Sequence, residues 1–185
     1  MAAMARPMAR TMDRERSQLL LIDFQARLMP AIDGAAAAIA NARRLLDAAN
    51  LLGVPVTFTE QYAKGLGPTV TELPALPAQV AHKMTFDACR SPALTERLAP
   101  GRALVVAGCE AHVCVLQTVL GLLDAGRQVR VVRDAVGSRR AESKEAALAR
   151  MERHGAEIIT TEMVVFEWLE SAEHPRFREV VALIK

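Results

Sequence analysis

Aromatic residues are scarce, with five Phe, one Tyr and one Trp in 185 residues. The core must therefore be assembled from Ala, Leu, Val and Ile, and a 51% apolar composition supplies them. Charge of one sign is also lacking. The formal net charge is +2, and no Lys/Arg run is interleaved with aromatics, so the electrostatic footprint of a nucleic-acid binder is missing. No stretch approaches the roughly 18 consecutive apolar residues of a membrane span. The basic residues near the start are not followed by the apolar h-region that export requires. Three cysteines, an odd number, then read as free thiols in a reducing cytoplasm.

What is present fits one domain, long enough to bury a core without disulfides or metal. Residues 1–16 carry Arg6, Arg10, Arg14 and Arg16 with no hydrophobic period and are expected to form a disordered arm before a domain over 17–185. From Ser17 onward, short β-rich runs alternate with longer amphipathic ones. Ser17 to Asp23 is a near-continuous apolar run ending in an acid, as expected of a strand buried on both faces. Gly34 to Leu52 reads as an Ala-rich helix stopped by Gly53. Val54 to Glu60 is a second strand, and 61–77, with three Pro and two Gly, is largely loop.

Val80 to Met84 reads as a third strand, and Ser91-Pro92 as the N-cap and N1 of a helix. Further strands are expected at Ala103 to Ala107, Val129 to Val132 and Glu157 to Thr161. Helices are expected at His112 to Ala125, at Ala141 to His154 and over most of the tail from Val164. Such alternation implies an α/β fold: a three-layer αβα, Rossmann-like arrangement with about six mainly parallel strands and helices on both faces. Ligands bind such sheets outside the carboxyl ends of the strands, near the switch in strand order.

Three reactive groups are expected at that edge. Asp23 ends the first strand, Lys83 lies at the end of the third, and Cys114 follows the fourth by a short turn. In the first turn of a helix, unsatisfied N–H groups and the helix dipole favour a thiolate, and a nearby ammonium would favour it further. Asp23 could then move the thiol proton. From the residues alone, Cys114 reads equally as an inert core thiol; Asp23, a carboxylate at the end of a buried strand, must be paired or functional, with capping of the following turn as the lesser alternative. His112 and Cys114, two residues apart at a helix start, diverge by roughly 200° and should not form a dyad. Cys109, His112 and Cys114 match no zinc spacing, and Gly65-Leu66-Gly67 is not a phosphate loop. Cys89 reads as a core or half-buried thiol.

The segments Leu20-Leu21-Ile22-Asp23-Phe24-Gln25, His82-Lys83, Gly108-Cys109-Glu110-Ala111-His112-Val113-Cys114-Val115 and Val132-Arg133-Asp134-Ala135 resemble the isochorismatase-like cysteine hydrolases in order and spacing. Thr59-Glu60-Gln61-Tyr62, Lys64 to Thr69, Arg150-Met151 and His174-Pro175 narrow the resemblance to the isochorismatase domain-containing branch. The resemblance implies an Asp-Lys-Cys triad of Asp23, Lys83 and Cys114. It also implies an oxyanion hole from the backbone N–H groups of Glu110 and Cys114, with a cis peptide at Cys109–Glu110. The activity implied is hydrolysis of a small amide or related acyl substrate through a thioester, by a homo-oligomer without cofactor or metal. The Asp-x-His metal motif of nicotinamidases has no counterpart in Thr57 to Tyr62. Gln25, Glu60, Gln61, Tyr62, Phe86 and His112 are candidate substrate-binding residues. Ala111 stands where many members of the superfamily carry Thr. The alternatives are a redox-active thiol protein and a catalytically silent binding protein of the same fold.

Overall fold

Six parallel strands make one sheet in the order β3-β2-β1-β4-β5-β6 in the computed structural model, which describes residues 10–185. They are β1 (Ser17–Ile22), β2 (Val56–Gln61), β3 (Val80–Lys83), β4 (Ala103–Cys109), β5 (Val129–Gly137) and β6 (Glu157–Ile159). The helices are α1 (Ala35–Leu52), α2 (Ala63–Leu66), α3 (Pro92–Thr95), α4 (Leu116–Asp124), α5 (Ala141–Arg153), α6 (Thr161–Leu169) and α7 (Phe177–Val181). Strand order reverses between β1 and β4, which places the crevice at their carboxyl ends.

The apolar run of β1 is central because it feeds both layers. Leu19 and Leu21 pack with residues of α1 and α6, while Leu20 and Ile22 pack with residues of α4 and α5. Alternating side chains on opposite faces make this possible only for a strand with no polar stripe. Ala-rich α1 lies close to the sheet and ends at Gly53, whose φ of 73° is the left-handed conformation of a helix stop.

The sequence-derived boundaries differ from the observed ones where side chains intervene. β5 was expected to end at Val132, yet it continues through Arg133 and Asp134 to Gly137 with a register shift against β4 between Val106 and Gly108. The Asp134 carboxylate is satisfied there, accepting from Thr161 N at 2.8 Å and Thr161 Oγ1 at 2.9 Å. β6 stops at Ile159 because Thr160 caps α6, accepting from Met163 N. Ser91 does not cap α3; its hydroxyl donates to the His82 carbonyl instead.

Part of the expected disordered arm is packed. Residues 1–9 lie outside the described residues, but Met12 is buried, its N–H donates to Glu167 at 2.6 Å, and Arg14 donates to the Trp168 carbonyl. Met12 and these α6 contacts leave no hydrophobic period to read in sequence, which is why the segment looked featureless. Among the described residues no helix is long and apolar enough to cross a bilayer.

Candidate active site

Asp23 is the first residue beyond β1 and leaves the strand with φ of 52°, a conformation uncommon outside Gly, Asn and Asp. Its N–H still follows the sheet, donating to the Thr59 carbonyl at 3.1 Å. The bend turns a fully buried carboxylate across the end of β2, where Oδ1 accepts from Thr59 Oγ1 at 2.6 Å. Oδ2 accepts from Lys83 Nζ at 2.7 Å, so an acid and an ammonium from strands two places apart meet inside the protein.

Alternation on β2 explains the partners. Thr59 and Gln61 share the face that looks toward α4, and Glu60 takes the other. Gln61 Oε1 accepts from Lys83 Nζ at 2.7 Å and stands 4.0 Å from Cys114 Sγ. The amide cannot turn over without loss, because Gln61 Nε2 donates to the Met84 carbonyl at 2.8 Å. Lys83 also donates to the Thr85 carbonyl at 3.2 Å, which uses its third proton. Asp23, Lys83 and Cys114 thus form one buried cluster bridged by Gln61.

The turn that carries Cys114 is not the regular helix start expected. Ala111–Val115 is a π-helical turn, and α4 begins only at Leu116. The peptide Cys109–Glu110 is cis. Gly108, with φ of 145°, brings β4 so close to β1 that an added Cβ would lie 2.2 Å from the Ile22 carbonyl oxygen. A glycine here therefore holds the base of the Cys114 turn against the base of Asp23.

A resting thiolate at Cys114, expected from the helix start, is not what this environment favours. Burial pushes the thiol up to about 12, the Asp23 carboxylate pushes the same way, and the Lys83 ammonium only partly opposes them. Together these influences favour the neutral thiol over the thiolate at Cys114. Burial likewise raises Cys89 and Cys109 to about 12.

The remaining candidates divide. Gln25, expected in the pocket wall, is fully buried and braces loops: its Nε2 donates to the carbonyls of Gln61 and Gly67, and its Oε1 accepts from Gln61 N. Glu60, also expected there, lies on the opposite face of β2 and anchors Thr69 through Oε1, with His82 Nδ1 at 3.4 Å from Oε2. Tyr62 and Phe86 are exposed, at 50% and 53%, beyond the ends of β2 and β3. His112 turns to Ser138, with Nδ1 2.9 Å from Ser138 Oγ. Glu110 accepts from Arg139 N and Nε at 2.9 and 3.0 Å. Sequence reasoning missed Thr59, Ser138 and Arg139. Thr59 alone had a signal, since it shares a strand face with Gln61. Among the described residues no three His, Cys, Asp or Glu side chains converge as a metal site.

A model of the isochorismatase domain matches residues 17–163. Isochorismatase domain-containing protein 2 of Macaca fascicularis is 41% identical over 186 residues, spanning 99% of this chain and 90% of its own length. Among solved structures, MAR1 ribonuclease from Caenorhabditis elegans superposes with a TM-score of 0.89 at 37% identity, covering 94% of this chain and 92% of its own. The YcaC gene product of Escherichia coli, described as an octameric hydrolase of unknown specificity, superposes with a TM-score of 0.84 at 25% identity, covering 97% and 89%. The domain match spans all six strands and the whole acid, ammonium and thiol cluster, and on it the chain belongs to the isochorismatase domain family.

Proposed function

We propose that this protein is a cysteine-dependent hydrolase that cleaves a small amide or related acyl substrate through a thioester on Cys114. The observation that carries the reading is the buried cluster at the β1/β4 switch point. There Lys83 Nζ lies 2.7 Å from both Asp23 Oδ2 and Gln61 Oε1, with Cys114 Sγ 4.0 Å beyond the latter. Asp23 takes the thiol proton as sulfur attacks the acyl carbon, and backbone N–H groups of Glu110 and Cys114 hold the oxyanion. Asp23 then protonates the leaving nitrogen as the C–N bond breaks. Its carboxylate next deprotonates water, whose oxygen adds to the thioester carbon; the C–S bond breaks, the acid is released, and Asp23 returns the proton to sulfur. Lys83 holds Asp23 in place and balances its charge in the steps where it is ionised.

Catalysis by this route needs no resident cofactor or metal. A homo-oligomer is part of the proposal, supported by the octameric relative. A redox role for Cys114 is disfavoured by burial, since peroxide reacts with exposed thiolates. A nucleic-acid substrate, which the name of the nematode relative states for that protein, finds no charge to favour it in a chain of net +2. In a screen of small amides, Cys114→Ala should abolish turnover while circular dichroism stays unchanged. Full turnover in that variant would end the proposal.

A further inference from the structure

Strands β1 and β2 part before β2 ends. Their pairing stops at Ile22 and Thr59, because Asp23 leaves β1 with φ of 52° after its N–H has met the Thr59 carbonyl. Gln61, two residues further along β2, points its N–H and C=O to the same side as Thr59 does. At that level β1 no longer runs beside it. A buried peptide left unpaired is costly, so both groups need another partner.

The Gln25 side chain takes the place of the missing strand. Its Oε1 accepts from Gln61 N at 2.8 Å and its Nε2 donates to the Gln61 carbonyl at 2.9 Å, so one carboxamide satisfies both groups. The second Nε2 proton goes to the Gly67 carbonyl at 2.7 Å. With both protons used and no exposed surface, Gln25 has nothing to offer a substrate. What it fixes is Gln61, whose side chain lies on the Cys114 face of the sheet. Gln61 Oε1 accepts from Lys83 Nζ at 2.7 Å and stands 4.0 Å from Cys114 Sγ. Burial and Asp23 oppose a charged sulfur, and of the groups acting on it Lys83 alone favours one, so the place of this ammonium matters.

We propose that Gln25 is a positioning residue of the active site. By standing in for the absent strand at Gln61, it holds Gln61 Oε1 where that oxygen keeps the Lys83 ammonium beside the Cys114 sulfur. Its role is not the substrate contact expected of it: its hydrogen bonds reach neither the thiol nor the ammonium, and it acts through Gln61. The inference rests on the hydrolase reading for the identity of the nucleophile, but its test does not require hydrolysis.

The test is alkylation of Cys114 by iodoacetate and by iodoacetamide, reagents of similar size that differ by one charge. The ratio of the two rates reports how close the ammonium stands to the sulfur. It cancels the ionised fraction of the thiol, and it cancels a general loosening of the fold, which admits both reagents alike. The full-length protein reacts at pH 9, and tandem mass spectrometry separates Cys114 from Cys109 on their shared peptide. Gln25→Leu, which removes all three side-chain bonds, should lower the iodoacetate-to-iodoacetamide ratio by about threefold or more. Gln25→Asn retains an amide and folds where the Leu variant does not. One carbon short, it cannot meet both groups of Gln61, so it should move the ratio in the same direction. Gln61→Leu should lower the ratio as far as Gln25→Leu, and the double variant no further, because both act at one oxygen. An unchanged ratio in a folded Gln25 variant, a double variant equal to the product of the singles, or a wild-type Cys114 that neither reagent reaches would overturn the positioning role. A ratio that responds as stated in a protein that hydrolyses no amide would sink the hydrolase reading alone. A protein that hydrolyses amides while the ratio ignores Gln25 would sink the positioning role alone.

Discussion

Replacing Lys83 by Met keeps the length of the side chain and removes its charge from a site where the Lys83 and Asp23 side chains are 1% and 0% exposed. At the observed 2.7 Å, unit charges attract by about 6 kcal/mol at an effective dielectric of about 20. Desolvation of the two ions costs several kcal/mol each, so the intact pair adds little net stability. Removing one partner is different. The Asp23 carboxylate keeps Thr59 but loses its counter-charge, and such a loss costs about 3–5 kcal/mol. For a urea slope of about 2–3 kcal/mol per M, a cost near 4 kcal/mol lowers the unfolding midpoint by about 1.3–2 M. Asp23→Asn in the same background removes the stranded charge and should restore at least half of that loss. Urea titrations of the four proteins of the cycle, followed by circular dichroism, measure both numbers. A Lys83→Met midpoint within about 0.3 M of wild type, or a double variant as unstable as the sum of the singles, would refute the coupling.

The Cys114 thiol, pushed up to about 12 by burial and then by Asp23, should alkylate with iodoacetamide at pH 7.5 about a thousandfold more slowly than a thiol at 9.0, with the rate rising about tenfold per pH unit beyond pH 10. A plateau below pH 9 would contradict the direction of that shift. Gly108→Ala places a Cβ 2.2 Å from the Ile22 carbonyl oxygen at φ of 145°, so it should cost about 2 kcal/mol or more and misplace Cys114 relative to Asp23; thermal melts and amide turnover check it. Gln61→Leu removes an acceptor from Lys83 and should lower stability by about 1–3 kcal/mol and kcat with it, with KM little changed.

How far the chain could be read before its structure depends on which physical signal each part carries. Parallel strands buried on both faces write unbroken apolar runs, so β1, β4 and the α/β alternation were legible, and the strand-end rule then placed Asp23, Lys83 and Cys114 at one edge. The state of the sulfur was not legible. A helix start and a nearby ammonium argue for a thiolate, whereas burial and the Asp23 charge, which come from packing, outweigh them. Gln25 and Glu60 are expected in the pocket through the resemblance, since both lie within the motifs that carry it. Their bonds to Gly67 and Thr69, 42 and 9 residues away, depend on how the 61–77 loop folds back. Arg139 carried no signal, since its partner Glu110 is 29 residues distant.

The claim at the centre is that Cys114 becomes covalently acylated. Wild-type protein mixed with a panel of small amides, quenched in acid within milliseconds to seconds and digested should yield the Cys114 peptide carrying the acyl mass, with free amine released in equal amount. Turnover of an amide with no adduct on Cys114 at any quench time, or with the acyl mass on another residue, would contradict it.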